Sequence, residues 1–576
     1  MKQWIFREKV PDDVAAELGE MPEMAKSILY HRGVKTRAEA EKFLNPKYGD
    51  NVDDPLLILN MEKAAGRIVE AIKNNERVIV FGDYDADGIC SSVVFHDFFK
   101  KIGFDNFHVH IPDRYLEGYG LSLKAIDEFC KQGAKLIVSL DCGVTNVKEV
   151  EKANSLDLEV IIIDHHIVPE NPPKAYAIVD LKQEGETYPT KFLSGAGIAF
   201  KTICAVIKIG KFNIIPGWEK WLLDVVAIAT VADMVPLLGE NRTLVYYGLK
   251  VLKKTQRPGL LSFYRQLKLS PGNIMEDDLS FMIAPRLNVA GRMDHATVSF
   301  NLLTTESSQE ADWISERLET MNGDRREAVD KIIKTIDSEI GLASPTGGSS
   351  RPDLIMTGDI SWSPGVLGLT ANRVLEKYNC PVFLWGKGGD NIKGSCRSNG
   401  AINLVDFMKK LPDGLLDDIG GHSLSAGYSI AENKIEKLKE EIIKLYAVFP
   451  KKEIDSVIYI EKEAAIDDIG AVFFSTIEVF QPFGADNPKP IFSFKNINVH
   501  GVKKFGNGGI HLQLDFKKSS ATSGSKIVSA IGFFMSKEGG LDLKAGQIID
   551  LAASIEKSNF RNKPEIRLRI VDIKIK

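Results

Sequence analysis

Three aspartates spaced two apart, Asp83, Asp85 and Asp87, end the stretch Val78-Ile-Val-Phe-Gly-Asp-Tyr-Asp-Ala-Asp-Gly88, directly after a run of apolar residues. Carboxylates this close repel one another at neutral pH, so they either splay into solvent or are held by a divalent cation. Three further segments place acid or imidazole directly after an apolar run: Ser139-Leu-Asp-Cys-Gly143, Ile163-Asp-His-His166 and Ala232-Asp-Met234. Asp83, Asp85, Asp87, Asp141 and Asp233, with His165 and His166, form a hard donor set that suits Mn²⁺ or Mg²⁺ better than zinc. The spacing Asp-x-Asp-x-Asp-Gly also opens a calcium-binding helix-loop-helix site. That reading fails, because the twelfth position is Val94 rather than Glu and a strand pattern precedes the run. A single aspartate at such a place is often only a cap or turn residue. Four sites in phase with the ends of apolar segments argue for a shared function.

The elements around these residues follow an alternating pattern. Apolar runs at 77–81, 107–111, 135–140, 159–163 and 177–179 alternate with helical stretches, which predicts a largely parallel sheet covered by helices. Ligands of such sheets bind beyond the carboxyl ends of the strands, where all but one of the acidic segments fall. Residues 1–54 read as a helical cap: Gly33 follows the 25–32 segment, and Thr36-Arg-Ala-Glu39 is a capping box for a helix ending before Pro46. Helical material continues at 196–207 and 221–232. Residues 309–340 predict one long amphipathic helix, with Asn322-Gly323 as the place where a break would fall. The loop-forming segment 341–352 marks a boundary before a second α/β unit that contains a strand at 381–385. Beyond about residue 450, short strands and glycine-rich turns predict a small β-barrel or sandwich. The domain expectation is therefore a cap at 1–54, a catalytic α/β domain at 55–304, a linking helix at 305–345, an accessory domain at 346–450 and a β-barrel at 451–576.

Composition limits the function classes. The 576 residues carry a net charge of −5, and no apolar run approaches the ~18 residues of a membrane span. The start lacks the pattern of a secretory signal, so the expected compartment is the cytoplasm. Six scattered cysteines without a Cys-x-x-Cys pair fit neither a disulfide scaffold nor a structural zinc site. From Gln481 onward there are 16 Lys+Arg against 8 Asp+Glu, a charge of +8, so the preceding 480 residues carry −13. The basic residues include Lys503, Lys504, Lys517, Lys518, Arg561 and Lys563, then Arg567 and Arg569, which alternate along a strand pattern. Five-stranded oligonucleotide-binding (OB) barrels hold single strands in grooves of this kind. Arg114, Arg286, Arg292 and Arg397 fall in glycine- or proline-marked segments that read as loops, where arginine suits bidentate phosphate binding. His108 and His110 alternate along a strand and read as structural.

Asp164-His-His166 with the upstream Asp-Tyr-Asp-Ala-Asp-Gly resembles the DHH phosphoesterase superfamily, and within it the RecJ-type single-strand-specific DNA exonucleases. The resemblance extends through Ile111-Pro-Asp-Arg-Tyr-Leu-Glu-Gly-Tyr-Gly120, Pro285-Arg-Leu-Asn-Val-Ala-Gly-Arg292, Trp362-Ser-Pro-Gly-Val-Leu-Gly368, Gly394-Ser-Cys-Arg-Ser398 and Gly420-Gly-His-Ser-Leu-Ser-Ala-Gly427. It implies two ions bridged by Asp141, one held by Asp83 and Asp85 and the other by Asp87, His165 and Asp233, with His166 facing the scissile phosphate. Arg286 and Arg292 join the catalytic set by resemblance. Arg114, Ser395 and Arg397 would receive a 5′-phosphate, Tyr119 would stack on the terminal base, and His422 would sit near substrate phosphate. Cys396 stands where the family commonly has glycine. The implied activity is removal of nucleotides from the 5′ end of single-stranded DNA, in DNA repair and recombination. The implied partners are the DNA itself, a helicase and a single-strand-binding protein; the chain is expected to be a monomer. Two rivals are a phosphodiesterase for short oligonucleotides or cyclic dinucleotides and a non-catalytic DNA-binding replication scaffold. The basic C-terminal segment disfavours the first, and the intact acidic set disfavours the second.

Overall fold

In the computed structural model, residues 2–342, 352–388, 391–452, 454, 457–519, 527–535, 543–558 and 565–576 are described. The boundary expected at 345/346, and Arg561 and Lys563, lie outside them. The chain divides into two compact units, one of Met1–His110, Gly120–Ala284 and Ser456–Lys576, the other of Ile111–Tyr119 and Pro285–Asp455.

The first unit contains a parallel five-stranded sheet in the order Phe107–His110, Arg77–Gly82, Ala134–Leu140, Glu159–Ile163, Ala177–Val179. These are the five strands the apolar runs predict. The chain steps from Arg77–Gly82 to one neighbour, Phe107–His110, and then returns to the other side at Ala134–Leu140. Where the order reverses, the loops after the two adjacent strands diverge and leave a crevice. Asp83 and Asp141 are the first residues after those two strands. The three central strands are buried on both faces, while the edge strand Phe107–His110 is partly exposed; Ile79, Phe81, Ile137 and Ile162 pack with Ile126, Phe129 and Val150 of two covering helices.

The N-terminal segment is not purely helical. Gln3–Phe6 is a strand that pairs in parallel with Val457–Ile460, and Trp4 Nε1 donates to Asp572 Oδ2 at 2.8 Å. The following helices do form: Thr36 and Glu39 make the expected capping box, and Gly33 takes φ 80°. Their apolar residues Leu18, Ile28, Leu29 and Phe43 belong to one core with Phe474, Phe480, Phe492, Leu512, Leu551 and Leu568 of the C-terminal region. That region forms a seven-stranded sheet among the described residues, in the order Lys462–Glu463, Ile491–Asn498, Ile548–Ser558, Glu565–Ile575, Ile527–Gly532, His511–Lys517, Gly501–Phe505. It exceeds the expected five strands because a two-residue strand joins one edge and the 506–510 turn folds a hairpin onto the other.

In the second unit, Ser308–Leu342 is a single helix of 35 residues, roughly 52 Å long, with no break at Asn322-Gly323. A mid-helix glycine costs about 1 kcal/mol relative to alanine. The helix continues because Asn322 is buried, as are Leu318 before it and Val329, Ile332 and Ile336 after it; the latter three pack with Trp362, Val366 and Leu384. The accessory sheet runs Asp418–Gly421, Ser425–Ile430, Asn391–Arg397, Val382–Gly388, Ile355–Asp359, with only the last pair parallel. The helix Pro364–Tyr378 packs on it.

The segment before the strand Ile491–Asn498 of the C-terminal sheet is fastened to the helix Gly239–Leu252 by a buried guanidinium. Arg242, 1 % exposed, donates to the carbonyls of Phe43 (2.8 Å), Phe480 (2.9 Å), Gln481 (2.6 Å) and Pro482 (3.2 Å). Nearby, Arg32 donates to Asn487 Oδ1 and the Pro488 carbonyl, both at 2.5 Å. Removing a donor that leaves several buried carbonyls unpaired costs about 1–3 kcal/mol for each. Arg242→Leu is expected to destabilise the protein by about 3 kcal/mol or more, read as a lowered denaturation midpoint; an unchanged midpoint would refute the anchoring role.

Candidate metal centre and end-binding residues

All seven candidate metal-centre residues lie in the first unit. Asp85 is the N-cap of the helix Ala86–Ile102, its Oδ1 accepting from Asp87 N (2.9 Å) and Gly88 N (3.2 Å). That cap turns Asp87 back into the protein, where both carboxylate oxygens receive amides of the helix Gly195–Gly210, from Gly195 and Ala196, each at 2.7 Å. The same helix start brings backbone against Asp141: a Cβ at Gly195 would stand 2.7 Å from Asp141 Cβ. Asp141 itself has φ 62°, a conformation that non-glycine residues adopt at a cost and that clusters at functional sites. His165 Nε2 lies 3.1 Å from Asp141 Oδ1 and 3.8 Å from Asp87 Oδ2, and its Nδ1 lies 3.7 Å from Asp233 Oδ2. Three groups of donor atoms fall within 4.8 Å of one another: Asp83, Asp85 and Asp141; Asp87, His165 and Asp233; and Asp141, His165 and His166.

The electrostatics of this cluster demand positive charge. Burial, then the Asp233 charge, pushes Asp87 up to about 7; burial and Asp85 push Asp233 up to about 7. Burial with Asp87, Asp85, Asp83 and Asp164 drives Asp141 well above the carboxylate range. Burial lowers His165, which favours the neutral imidazole, the form able to donate a lone pair. A cation would relieve these carboxylates, and carboxylate oxygens with one imidazole nitrogen are the donors a hard divalent ion takes. The residues present therefore fit such an ion.

Asp164, fully buried, is a supporting residue whose role only the folded chain shows. Its Oδ1 accepts from His165 N (2.7 Å) and His166 N (3.2 Å) and lies 2.7 Å from His166 Nδ1, while Oδ2 accepts from Val144 N (3.2 Å). Burial opposes its ionisation, yet the His166 hydrogen bond holds it below the ordinary value; in return, the Asp164 hydrogen bond overcomes burial and raises His166. Asp180 was also missed. It follows the fifth strand, is fully buried, accepts from Lys182 N, and is pushed by burial up to about 7; Lys182 Nζ donates to the His165 carbonyl. The strand-end rule that found the other acids would have found Asp180.

The second unit holds the arginine set. Arg114 and Tyr119 lie in the loop Ile111–Tyr119, with Tyr119 exposed. Ser395 and Arg397 lie on the strand Asn391–Arg397, where Arg397 Nη1 donates to Ser395 Oγ at 3.2 Å and burial lowers the guanidinium's pKa. His422 is exposed just after the strand Asp418–Gly421, its amide donating to the Ser425 carbonyl at 2.8 Å. Arg286 and Arg292 are not in loops: both are on the helix Ala284–Met293. Pro285 misleads because the helix runs on from a π-helical turn, Leu279–Ile283, directly before it, and Gly291 is tolerated within the helix. Arg286 Nε pairs with Glu319 at 2.5 Å, and Arg292 Nη1 donates to the Gly365 carbonyl at 3.2 Å. The tail also departs from expectation, since Arg567 and Arg569 both pair with buried Glu556, at 2.7 and 3.0 Å.

Three family models match: the DHH family N-terminal domain at 77–230, the DHHA1 domain at 353–447 and the RecJ OB domain at 460–572. The chain is 32 % identical over 563 residues to the single-stranded-DNA-specific exonuclease RecJ of Bacillus subtilis, covering 95 % of this chain and 67 % of the relative. The chain belongs to the RecJ family. It is also 30 % identical to the RecJ exonuclease of Escherichia coli, covering 85 % of this chain and 87 % of that protein. The crystal structure of Thermus thermophilus RecJ in complex with Mn²⁺ superposes with a TM-score of 0.81 at 25 % identity, covering 99 % of this chain and 79 % of that one. The RecJ-family architecture accounts for the order of sheet, long helix, accessory sheet and barrel.

A carboxylate whose pKa is raised on folding stabilises the protein only at low pH; that contribution is lost as pH rises from about 4 toward the raised value. For Asp87 the loss is complete just above about 7. In chelator, Asp87→Asn should therefore gain melting temperature relative to wild type at about pH 8 more than at about pH 5. An equal difference at both pH values would contradict the raised Asp87 pKa that burial and the Asp233 charge produce.

Proposed function

We propose that this RecJ-family chain is a divalent-metal-dependent exonuclease that hydrolyses phosphodiester bonds of single-stranded DNA from the 5′ end. The carrying observation is the pair of ligand groups, Asp83–Asp85–Asp141 and Asp87–His165–Asp233, with Asp141 3.1 Å from His165 and so positioned to serve both. Two ions, Mn²⁺ by preference with Mg²⁺ as substitute, would be held there with Asp141 as the shared ligand. When bound, such ions polarise the phosphate and supply a nucleophilic water at neutral pH. The chain's own residues do the rest. Asp164 orients His166 and favours its protonated form, which suits an imidazolium directed at phosphate oxygen. Asp83 and Asp85 would hold one ion, and His165, kept neutral by burial, the other with Asp87 and Asp233. Arg286 and Arg292 would steady the reacting strand, each fixed by the partner described above.

End recognition would rest on Arg114, Ser395 and Arg397 for the 5′-phosphate, Tyr119 for the terminal base and His422 for a neighbouring phosphate. The paired Arg397–Ser395 geometry supports this. The segment after 451 would hold the trailing strand: Lys503 and Lys504 are exposed, and the rings of Phe505, His511, Phe533 and Phe534 form a cluster with centroids 4.9–6.3 Å apart, of which Phe534 is 57 % exposed. Clustered, edge-packed aromatics beside lysines suit a base-stacking surface. In this reading, 1–54 is the cap, 55–304 the catalytic domain, 305–345 the linking helix, 346–450 the accessory domain and 451–576 the single-strand-binding barrel. Roles in DNA repair and recombination, a cytoplasmic location, a monomeric state, and a helicase and single-strand-binding protein as partners complete the proposal. None of the described helices is long and apolar enough to cross a membrane. The complete ligand set speaks against a non-catalytic scaffold, and the basic barrel against a dinucleotide phosphodiesterase.

With Mn²⁺ or Mg²⁺, 5′-labelled single strands should release labelled mononucleotide from the outset, while 3′-labelled strands shorten stepwise and duplexes persist; chelator should stop both. Release of 3′-terminal label first would refute the polarity. Asp141→Ala should lower turnover by about three orders of magnitude or more, given the share of catalysis that metal positioning carries; near-normal turnover would refute the shared ligand. Arg397→Ala should weaken use of 5′-phosphorylated strands selectively, and equal losses on 5′-hydroxyl strands would reject its role.

A further inference from the structure

The loop Ile111–Tyr119 is closed upon itself by Asp113. The Asp113 carboxylate accepts from Tyr115 N (2.8 Å) and Leu116 N (2.9 Å), and its carbonyl from Glu117 N (2.9 Å) and Gly118 N (3.1 Å). One side chain of this rigid turn reaches the Ala284–Met293 helix: Tyr115 Oη donates to the Arg292 carbonyl at 2.5 Å. The contact exists only because residue 365 is glycine. A Cβ there would overlap the Tyr115 hydroxyl and stand 2.5 Å from the Arg292 carbonyl oxygen. Arg292 Nη1 in turn donates to the Gly365 carbonyl at 3.2 Å, so Tyr115, Arg292 and Gly365 form a closed circuit.

Three residues further along the same helix, Gly368 repeats the device. A Cβ there would lie 2.9 Å from Arg397 Nη2 and 3.3 Å from Ser395 Oγ. Positions three apart share a helix face. The first turn of Pro364–Tyr378 thus presents a bare strip that seats the Tyr115 loop at one glycine and the Arg397–Ser395 pair at the next. The two halves of the candidate end-binding set, which come from segments nearly 300 residues apart, are brought to one helix face.

We propose that Tyr115, seated against Gly365, is a positioning residue for 5′-end recognition: its hydroxyl fixes the loop that carries Arg114 and Tyr119 in register with Arg397 and Ser395. Arg114 is its immediate neighbour and Tyr119 follows four residues later on the same self-capped turn. The inference rests on the proposed reading of those four residues as the end-binding set.

The test compares KM and kcat on 5′-phosphorylated and 5′-hydroxyl single strands in Mn²⁺ for wild type, Tyr115→Phe and Gly365→Ala, with melting temperatures recorded. Leu116→Ala, at the 88 % exposed neighbouring position, is the control. Tyr115→Phe should raise KM for the phosphorylated strand about fivefold, with kcat held within about twofold, and so narrow the preference for phosphorylated ends. Gly365→Ala should do the same or more, and Leu116→Ala nothing. Wild-type KM and preference in Tyr115→Phe overturn the proposal, as does an equal fall in kcat on both substrates with KM unchanged. A wild type that does not distinguish the two ends overturns the underlying end-binding reading, and the positioning role falls with it.

Discussion

Mutual repulsion among buried carboxylates is the constraint around which the first unit is built. Asp83, Asp87 and Asp141 are each at most 4 % exposed, yet they converge on the crevice where the strand order reverses. Coulomb repulsion at such distances is far stronger in the interior than in water, so the chain holds these groups together with rigid backbone. Two helix starts and one left-handed residue do this. The Ala86–Ile102 helix is capped by Asp85, the Gly195–Gly210 helix directs two amides at Asp87, and Asp141 is held at φ 62° with its amide bonded to the Ile163 carbonyl at 2.9 Å. Each is a fixed dipole or a locked torsion, so little reorganisation is needed when a counter-charge arrives.

The imidazoles are separated by the same logic. His165 and His166 are adjacent, with ring centroids 4.6 Å apart, but burial keeps one neutral while the Asp164 carboxylate favours the cation on the other. Two residues of one type thereby gain different chemistry from their neighbours. Asp164 is the agent of that difference and also ties the pair's backbone to the Val144 loop.

What could be read from the sequence follows physical range. The central strands were legible because their burial on both faces leaves continuous apolar runs, and the acids were legible because they interrupt those runs at one end. Thr36 and Glu39 were legible because a capping box is complete within four residues. Pairings that depend on distant partners were not. Gln3–Phe6 is too short to announce itself and gains its identity only from Val457–Ile460. Arg567 and Arg569 read as free groove cations because Glu556, which pairs with both and offsets one of their two charges, is reached only through antiparallel register. Arg286 and Arg292 looked like loop residues because the proline and glycine around them signal turns unless tertiary packing overrides them.

The shared core of the N-terminal helices and the C-terminal sheet has a consequence for how the chain is made. Phe43 belongs to one core with Phe480 and Leu568, so the helices that carry Leu18, Ile28 and Phe43 have no completed core until those distant residues have been made. The catalytic sheet, whose strands all lie between Arg77 and Val179, has its own local partners much earlier. Synthesis therefore passes through a stage in which the strands of the catalytic centre can assemble while the flanking apolar helices await their partner, a window in which exposed surface favours chaperone capture or aggregation. A chain cut short before Glu565–Ile575 is left in that state permanently, so loss of that strand harms the distant helices of Leu18, Ile28 and Phe43 as much as its own sheet.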